Sequence, residues 1–198
     1  MSMFLTLLAA QAMAAMPAED EAALALEALP QHLRADAGVF ILADTGFIRH
    51  RESANGYECL VERDGGNVLA PLCYDGVGAA SLLPMTLMRA EMRAAGQDED
   101  AILAHIDEAF ASGALSGPSE PGMAYMLSPN FSATDPETGE KSCAFPPHVM
   151  IYAPGKTNAD FGIAPDKMGS RQSPFIINEG TPYAYVIMVD HSIEHQCG

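Results

Sequence analysis

Residues 38–51, Gly38-Val-Phe-Ile-Leu-Ala-Asp-Thr-Gly-Phe-Ile-Arg-His-Arg51, decide the fold class. An apolar run (38–43) is followed by the turn Asp44-Thr-Gly46 and by a second extended run (47–51). Two short apolar runs on either side of turn residues are typical of a β-hairpin. A hairpin joins antiparallel neighbours, whereas parallel neighbours need a long crossover connection. The stretch therefore predicts the start of an antiparallel sheet.

The strands predicted after this hairpin are also short. Residues 57–63 alternate in polarity like a half-buried strand, and the turn Asp64-Gly-Gly-Asn67 leads from them into residues 68–74. Later apolar segments, bounded by turn residues, predict further strands. The whole sheet is predicted over 38–74, 122–127, 145–153 and 174–189.

Helical patterns occur in two places. Residues 83–95 and 98–112 carry apolar side chains at helical spacing, with Gly96 and Gly113 as ends and Asp98 as an N-cap. A leading helix is predicted over 19–29, where acidic residues occupy the first turn. Strands and helices do not alternate as in β-α-β units. The prediction is an α+β fold, with a mostly antiparallel sheet and a helical pair packed on one face.

Composition limits the class of protein and its partners. The chain has 198 residues, of which 48% are hydrophobic, and this suits a single globular domain over residues 16–198. With 10 Lys and Arg against 26 Asp and Glu, the formal net charge is −16. Binding to nucleic acid or to an anionic membrane surface needs clustered basic residues. No such cluster is present in the sequence, so neither partner is expected.

The first residues predict export. Residues 1–15 are apolar and end in small residues, and Ala12-Met-Ala14 fits the A-x-A cleavage pattern of a signal peptide. The alternative is the beginning of an amphipathic helix, because no basic residue precedes the apolar run. The run is too short to span a bilayer, which takes about 20 residues. A periplasmic or secreted protein without a membrane span is predicted.

Four cysteines form an even set without C-x-x-C spacing: Cys59, Cys73, Cys143 and Cys197. In an exported protein such a set favours disulfides. Cys59 and Cys73 flank a predicted hairpin, and a bridge that closes a loop of this size contributes about 3 kcal/mol. A second pair, Cys143 with Cys197, would attach the tail to the body. The alternative is four reduced cysteines in a cytoplasmic protein.

An ordered set of motifs resembles a family of uncharacterised exported bacterial proteins. The motifs are Asn55-Gly-Tyr-Glu-Cys59, Pro71-Leu-Cys-Tyr-Asp75, Gly122-Met-Ala-Tyr-Met-Leu127, Thr134-Asp-Pro136, Pro147-His-Val-Met150 and Pro182-Tyr-Ala-Tyr-Val-Ile-Met188. The resemblance covers roughly residues 38–189 and implies an exported domain with two cysteines near the Asn55-Gly56 turn. It supplies no catalytic residues, because the family has no established activity.

His148 is the first candidate for chemistry, because a Pro-Pro pair leads into it and a strand follows. On that strand His148, Met150 and Tyr152 share one face, while Val149 and Ile151 share the other, which is expected to be the core face. Other strands are expected to complete a pocket with Tyr125 and with either Tyr183 and Tyr185 or, on the alternate face of the last strand, Met188. Such a pocket suits an apolar or aromatic small molecule. The alternative is a structural histidine that donates a hydrogen bond to a backbone carbonyl.

Metal sites are less well supported. Met123, Met126, Met150 and Met188 lie on predicted strands, and thioether sulfur with imidazole suits copper, but methionine is more often a filler of cores. His191 and His195 have i, i+4 spacing in the tail, without the H-E-x-x-H order of a zinc hydrolase. No metal ligand is predicted, and the cofactor stays unknown.

Two functional classes remain open. The first is an exported small-molecule-binding or envelope protein with its pocket around His148. The second is a small exported enzyme, a hydrolase or a metal-dependent enzyme, in which His148 acts as base or ligand. No nucleophile elbow is present, and loop serines such as Ser128 and Ser132 have no assigned distance from His148. The polar segments 128–141 and 154–173 are long for loops of a compact domain, and such loops are often functional.

Overall fold

The protein is described by a computed structural model over residues 16–63, 67–164 and 173–196. The predicted signal peptide and Cys197 lie outside these residues. The strands are β1 (Gly38–Ala43), β2 (Gly46–Arg51), β3 (Glu58–Glu62), β4 (Val68–Tyr74), β5 (Met123–Met126), β6 (Ser132–Thr134), β7 (Lys141–Cys143), β8 (His148–Tyr152), β9 (Phe175–Ile177) and β10 (Tyr185–Val189). The α-helices are α1 (Ala18–Leu26), α2 (Gly76–Ser81), α3 (Leu83–Ala94) and α4 (Glu99–Ser112), and short 3-10 helices occupy Gln31–Leu33 and Asn158–Phe161.

The predicted fold class is confirmed: a mostly antiparallel mixed sheet lies beside α-helices. The strands follow the order β2-β1-β3-β4-β5-β8-β10-β9, and β6 pairs with both β4 and β7. β1 and β2 form the predicted hairpin, with Ala43 opposite Gly46. The one parallel pairing among the described strands joins β1 to β3, since β2 turns outward to the edge and the chain returns on the other side of β1.

The predicted helical pair is confirmed together with the residues that end it. The Asp98 side chain accepts a hydrogen bond from the Ala101 amide at 2.8 Å, and this caps α4. Gly96 and Gly113 both adopt the left-handed conformation that the ends of α3 and α4 require. Leu83, Met85, Ile102 and Ile106 are buried and join the larger apolar core on that face of the sheet.

Helix α1 covers the opposite face of the sheet. Its Ala22 and Ala25 are buried against Cys59, Val61 and Cys73 of β3 and β4. Strand β3 is therefore enclosed on both sides, because Leu60 faces the other core. The prediction of a half-buried strand over 57–63 was wrong, since the polar ends Glu58 and Glu62 gave an appearance of alternation that the buried centre lacks.

The predicted disulfide is confirmed. Cys59 and Cys73 are directly opposite each other on the antiparallel strands β3 and β4, and their sulfurs are 2.04 Å apart. Both residues are fully buried beneath α1. Cys143 is also disulfide-bonded, and its pairing with Cys197 stays a prediction because Cys197 lies beyond the described residues.

The two long polar segments contain more structure than the sequence indicated. The first holds β6 and β7, which pair with each other. In the second, the Asn158 side chain makes hydrogen bonds with both the amide and the carbonyl of Ile176, at 2.8 and 3.0 Å. Asn158 thus pairs with β9 as a neighbouring strand would, and Glu179 accepts hydrogen bonds from its amide and side chain. These contacts give the described part of this loop a structural role.

Candidate ligand-binding site

Strand β8 presents its more buried face to the layer that contains α3 and α4. His148, Met150 and Tyr152 are all buried, whereas Val149 and Ile151 are only partly buried. The expectation that Val149 and Ile151 form the main core face was therefore wrong. The helical layer covers the side of the sheet with the mixed side chains, and tertiary packing decided which face became the core.

A cavity of about 380 Å³ lies between this face of the sheet and α3. Small-molecule sites in proteins span roughly 300–1,000 Å³ and are lined mainly by apolar groups with a few polar ones. The lining follows this pattern. It consists of Glu62, Val68, Ala70, Leu72, Tyr74, Met85, Thr86, Arg89, Met126, Phe131, Ala144, Phe145, His148, Met150, Phe175, Ile177, Asn178, Tyr183, Tyr185 and Ile187.

His148 forms part of an aromatic wall of the cavity. The Phe145 ring meets the imidazole edge-on at 4.9 Å between centroids, and the Phe131 ring lies 6.4 Å away. Phe175 extends this wall at 6.2 Å from Phe145. Phe145 precedes His148 by three residues, and the intervening Pro-Pro pair holds the chain so that both rings stand on the same side.

The hydrogen bonding of His148 fixes its tautomer. Its Nδ1 lies 2.8 Å from the carbonyl oxygen of Pro146, which can only accept, so Nδ1 carries the proton and donates it. This contact is the one expected of a structural histidine, which donates a hydrogen bond to a backbone carbonyl. Burial lowers the pKa of the imidazole, and the bond to Pro146 offsets this only in part. The ring is therefore neutral near pH 7, and Nε2 is left as a hydrogen-bond acceptor.

No catalytic partner hydrogen-bonds with His148 within the described residues. Ser128, a candidate nucleophile from its loop, instead donates to Glu27 at the end of α1. The Ser132 hydroxyl is buried without a hydrogen bond in the described structure. A base that acts on a substrate needs it within hydrogen-bond reach, and a nucleophile needs its base at a similar distance. Among the described residues, the geometry therefore provides no second catalytic side chain beside His148 to support the enzyme hypothesis.

Several polar groups of the cavity lie on β3, β4 and α3. The Arg89 guanidinium pairs with the Glu62 carboxylate at 3.4 Å between Nη1 and Oε1. The Arg89 Nε is buried and has no acceptor among the described groups. The Tyr74 and Thr86 hydroxyls share a hydrogen bond of 2.9 Å. Burial raises the pKa of both Tyr74 and Tyr185, so both phenols are protonated at pH 7.

The fold places only some of the predicted ligand-binding residues in the same cavity. Met150, Tyr183 and Tyr185 line the cavity with His148. Tyr125 lies on the opposite face, where its ring packs beside that of Tyr57 at 6.0 Å. Tyr152 is on the same face as His148, but it is not among the lining residues, since its hydroxyl is bonded elsewhere.

That hydroxyl belongs to a polar cluster around Asp75. The Asp75 Oδ1 accepts hydrogen bonds from the Tyr152 hydroxyl at 3.0 Å and from the Gly78 amide at 2.9 Å. Its Oδ2 accepts one from the Met123 amide at 2.8 Å. One carboxylate thus joins the start of α2 to β5 and β8. Burial and the nearby Asp75 charge raise the pKa of Tyr152, which keeps the phenol protonated.

Two glycines make room for the Asp75 cluster. A Cβ at Gly78 would lie 2.0 Å from the Tyr152 hydroxyl, and one at Gly122 would lie 2.6 Å from the Asp75 Oδ2. Real Cβ atoms do not approach other atoms so closely. Gly78 therefore serves close packing against Tyr152.

The sequence reasoning missed most of the polar and aromatic lining. Arg89 and Thr86 are three residues apart on α3, on the border of its apolar face, and a polar pair at that position is a signal that could have indicated a lined cavity. Glu62 and Phe145 had no comparable signal, because their positions depend on which strands become neighbours.

The described methionines named above differ in burial, and the two tail histidines are not aligned on a helix. Met126 and Met150 are buried in the core, whereas Met188 is 46% exposed. The tail around His191 and His195 is turn and coil in place of the helix that would align the two rings. Across residues 16–63, 67–164 and 173–196, no group of three His, Cys, Asp or Glu side chains is placed to hold a metal ion.

Comparisons with known proteins found no relative of this chain. No family model, curated protein or solved structure matches the chain. The resemblance to a family of exported bacterial proteins stays a prediction. In the described part of the chain, none of the helices combines the length and apolar character needed to cross a bilayer.

Proposed function

We propose that this protein is an exported binding protein for an apolar or aromatic small molecule, which it holds in the cavity beside His148. The observation that carries the proposal is the cavity itself, about 380 Å³ in volume and lined mainly by Met, Phe, Tyr and aliphatic side chains. A close-packed core has few voids larger than a water molecule. A space of this size, lined mainly by apolar side chains, supports the binding of a small molecule.

Export is supported by the chemistry of the cysteines. Disulfides persist in oxidising compartments and are rare in the cytosol of most cells. Cys59 and Cys73 form a disulfide, and the described residues contain no free cysteine. The A-x-A pattern at Ala12-Met-Ala14 supports the same localisation. Mass spectrometry of the protein from a periplasmic fraction would test it, with a mature N-terminus at or near residue 15 as the expected result.

Binding is preferred to catalysis because the cavity offers groups that hold a ligand but no pair that would activate one. His148 has its Nδ1 bonded to a backbone carbonyl. Among the described residues no carboxylate, serine or second histidine bonds to it. A binding site needs only complementary shape and a few polar contacts.

The rim of the cavity provides a direct test. Ala144 is exposed and also lines the cavity, so a large side chain there would obstruct the opening without entering the packed core. We expect Ala144→Trp to weaken binding of the neutral dye N-phenyl-1-naphthylamine, or of naphthalene, at least 10-fold in a fluorescence titration. Ala104→Trp on the exposed side of α4 is the matched control and should bind like the native protein.

Two results would contradict the binding function. One is a native, folded protein that binds none of these aromatic probes at concentrations up to their solubility. The other is equal binding by native protein and Ala144→Trp, since the probe would then lie elsewhere on the surface. Circular dichroism and the urea midpoint of both variants verify that the fold is retained.

A further inference from the structure

The cavity also limits the chemistry of its occupant, through the charge of its walls. The ionisable groups among the lining residues are Glu62, Tyr74, Arg89, His148, Tyr183 and Tyr185. Glu62 and Arg89 have opposite charges and form an ion pair. Burial raises the pKa of the three tyrosines and lowers that of His148, so these four groups are uncharged at pH 7. The described lining residues therefore carry no net charge, although the chain as a whole is strongly acidic.

A charged ligand would therefore lose hydration without gaining a counter-charge. An unpaired charge taken out of water is costly unless an opposite charge or several hydrogen bonds meet it. Arg89 is the one cation on the described walls, and it already forms an ion pair with Glu62. A carboxylate placed beside Arg89 would also stand next to the Glu62 carboxylate and be repelled. Neutral ligands are favoured for both reasons.

The cavity offers hydrogen-bond donors on one side. Arg89 has five N–H groups, and the described structure gives it one hydrogen bond, from Nη1 to Glu62. Its Nε is buried without an acceptor. Polar groups left unpaired inside proteins are rare, so each calls for an explanation. A ligand oxygen beside this guanidinium would use a donor that the described protein groups leave unused.

The opposite side offers an acceptor. His148 donates through Nδ1 to Pro146, so its Nε2 can only accept, and no hydrogen bond to it is present among the described residues. His148 is on β8 and Glu62 on β3, three strand spacings apart, which is about 14 Å across the sheet at ~4.8 Å per spacing, and the two residues are also offset by two positions, roughly 7 Å, along the strands. The Arg89 and His148 side chains both line the cavity and occupy part of this span, so a molecule of about two fused rings with a polar substituent at each end is the size we expect to reach between them.

We propose that the occupant is an uncharged, flat apolar molecule with an acceptor oxygen, such as a carbonyl, beside Arg89 and a donor, such as a hydroxyl, beside His148. This inference rests on the proposed binding function and adds the polarity and the orientation of the ligand. The aromatic wall formed by Phe131, Phe145 and Phe175 would lie against its ring face.

A series of naphthalene probes on the native protein tests the inference. The probes are naphthalene, 2-naphthol, 2-acetylnaphthalene, 6-hydroxy-2-acetylnaphthalene and 6-hydroxy-2-naphthoate, each titrated at pH 7 by fluorescence. We expect the hydroxyketone to bind at least 10-fold tighter than naphthalene and at least 10-fold tighter than the hydroxynaphthoate. The two singly substituted probes should fall between naphthalene and the hydroxyketone.

Two variants test the orientation. His148→Phe keeps an aromatic ring beside Phe145 but removes the acceptor, so the hydroxyketone should weaken to the affinity of 2-acetylnaphthalene, which itself should not change. Glu62→Gln frees the Arg89 charge, so the hydroxynaphthoate should gain at least 10-fold while naphthalene does not. Chemical denaturation of each variant verifies that it remains folded.

The outcomes separate this inference from the proposed function. If naphthalene binds but the substituted probes show no preference, or if the carboxylate binds best to the native protein, the inference is overturned and the binding function stands. If no probe binds to the folded native protein, the binding function fails and the inference fails with it.

Discussion

The two faces of the sheet are covered by helices in opposite ways. On one face, α1 meets the sheet through alanines, Ala22 and Ala25 among them, over the Cys59–Cys73 disulfide, and these residues are almost fully buried. On the other face, α3 meets the sheet through Met85, Thr86 and Arg89, and a cavity of about 380 Å³ remains between them. Both faces belong to the same strands, so the difference arises from the side chains that meet there.

Side-chain size explains the contrast. Small residues let a helix lie close to a sheet, and the space is then filled by backbone and short side chains. Long and aromatic side chains hold the layers apart, and their rings and polar ends do not fill the volume completely. The packed face supplies stability, and the hollow face offers a place for a ligand.

The largest effect is expected from the centre of the packed face. Replacing both Cys59 and Cys73 with alanine removes a bridge with a sequence separation of 14, and we expect a loss of about 3 kcal/mol in the free energy of unfolding. Urea denaturation of the double variant measures it. Native protein with reductant present should lose at least as much, because the bridge of Cys143 is reduced too. A loss below about 1 kcal/mol in the double variant would show that the Cys59–Cys73 bridge contributes little.

A matched pair of substitutions compares the two faces directly. Ala25 on α1 is fully buried and Ala70, which lines the cavity, is 4% exposed. Ala25→Leu overpacks the tight face and should destabilise by about 1–3 kcal/mol. Ala70→Leu adds the same volume into open space and should destabilise by less than half as much, while weakening naphthalene binding. Equal losses in urea denaturation would contradict the contrast between a packed and a hollow face.

The Asp75 cluster is a tightly bonded part of the cavity side of the sheet. Tyr152→Phe removes the hydrogen bond from the Tyr152 hydroxyl to Asp75 and should destabilise by about 1 kcal/mol. Because Tyr152 is not among the lining residues, the affinity of the variant for naphthalene should stay within about twofold of the native value. A double-mutant cycle with Asp75→Asn measures the coupling. Additive effects of the two substitutions would show that the hydroxyl and the carboxylate do not interact.

The smallest effect concerns pH. Burial lowers the folded-state pKa of His148 below its ordinary value near 6.5, so the unfolded chain takes up the proton first as pH falls. This contribution to stability is complete above about pH 6.5 and decreases toward the lower folded-state pKa. His148→Phe should flatten the pH dependence of unfolding free energy in that window. An unchanged slope would contradict a buried, neutral imidazole.

Much of the fold could be predicted because its signals are local. The 38–51 hairpin, both long helices and the Cys59–Cys73 bridge follow from turn residues, caps and apolar spacing within a few positions. Helix α2 and strands β6 and β7 escaped prediction because each is short and polar or glycine-rich.

The site was less predictable, as Tyr125 and Tyr152 illustrate. Both have the residue type and strand position expected of a pocket residue, but Tyr125 faces α1 and the Tyr152 hydroxyl binds Asp75. Alternation along a strand says which residues share a face, and it does not say what will cover that face.

The sequence by itself determined the α+β class, the positions of the longer helices and of most strands, the Cys59–Cys73 disulfide and the place of His148 at the start of a strand. Only the tertiary structure decided that the His148 face is the more buried one, that Arg89 and Glu62 pair at the wall of a cavity, and that this cavity exists. The physical reason is range: backbone conformation depends on neighbouring residues, whereas a cavity depends on how side chains from β3, α3 and β8 fill the space between them.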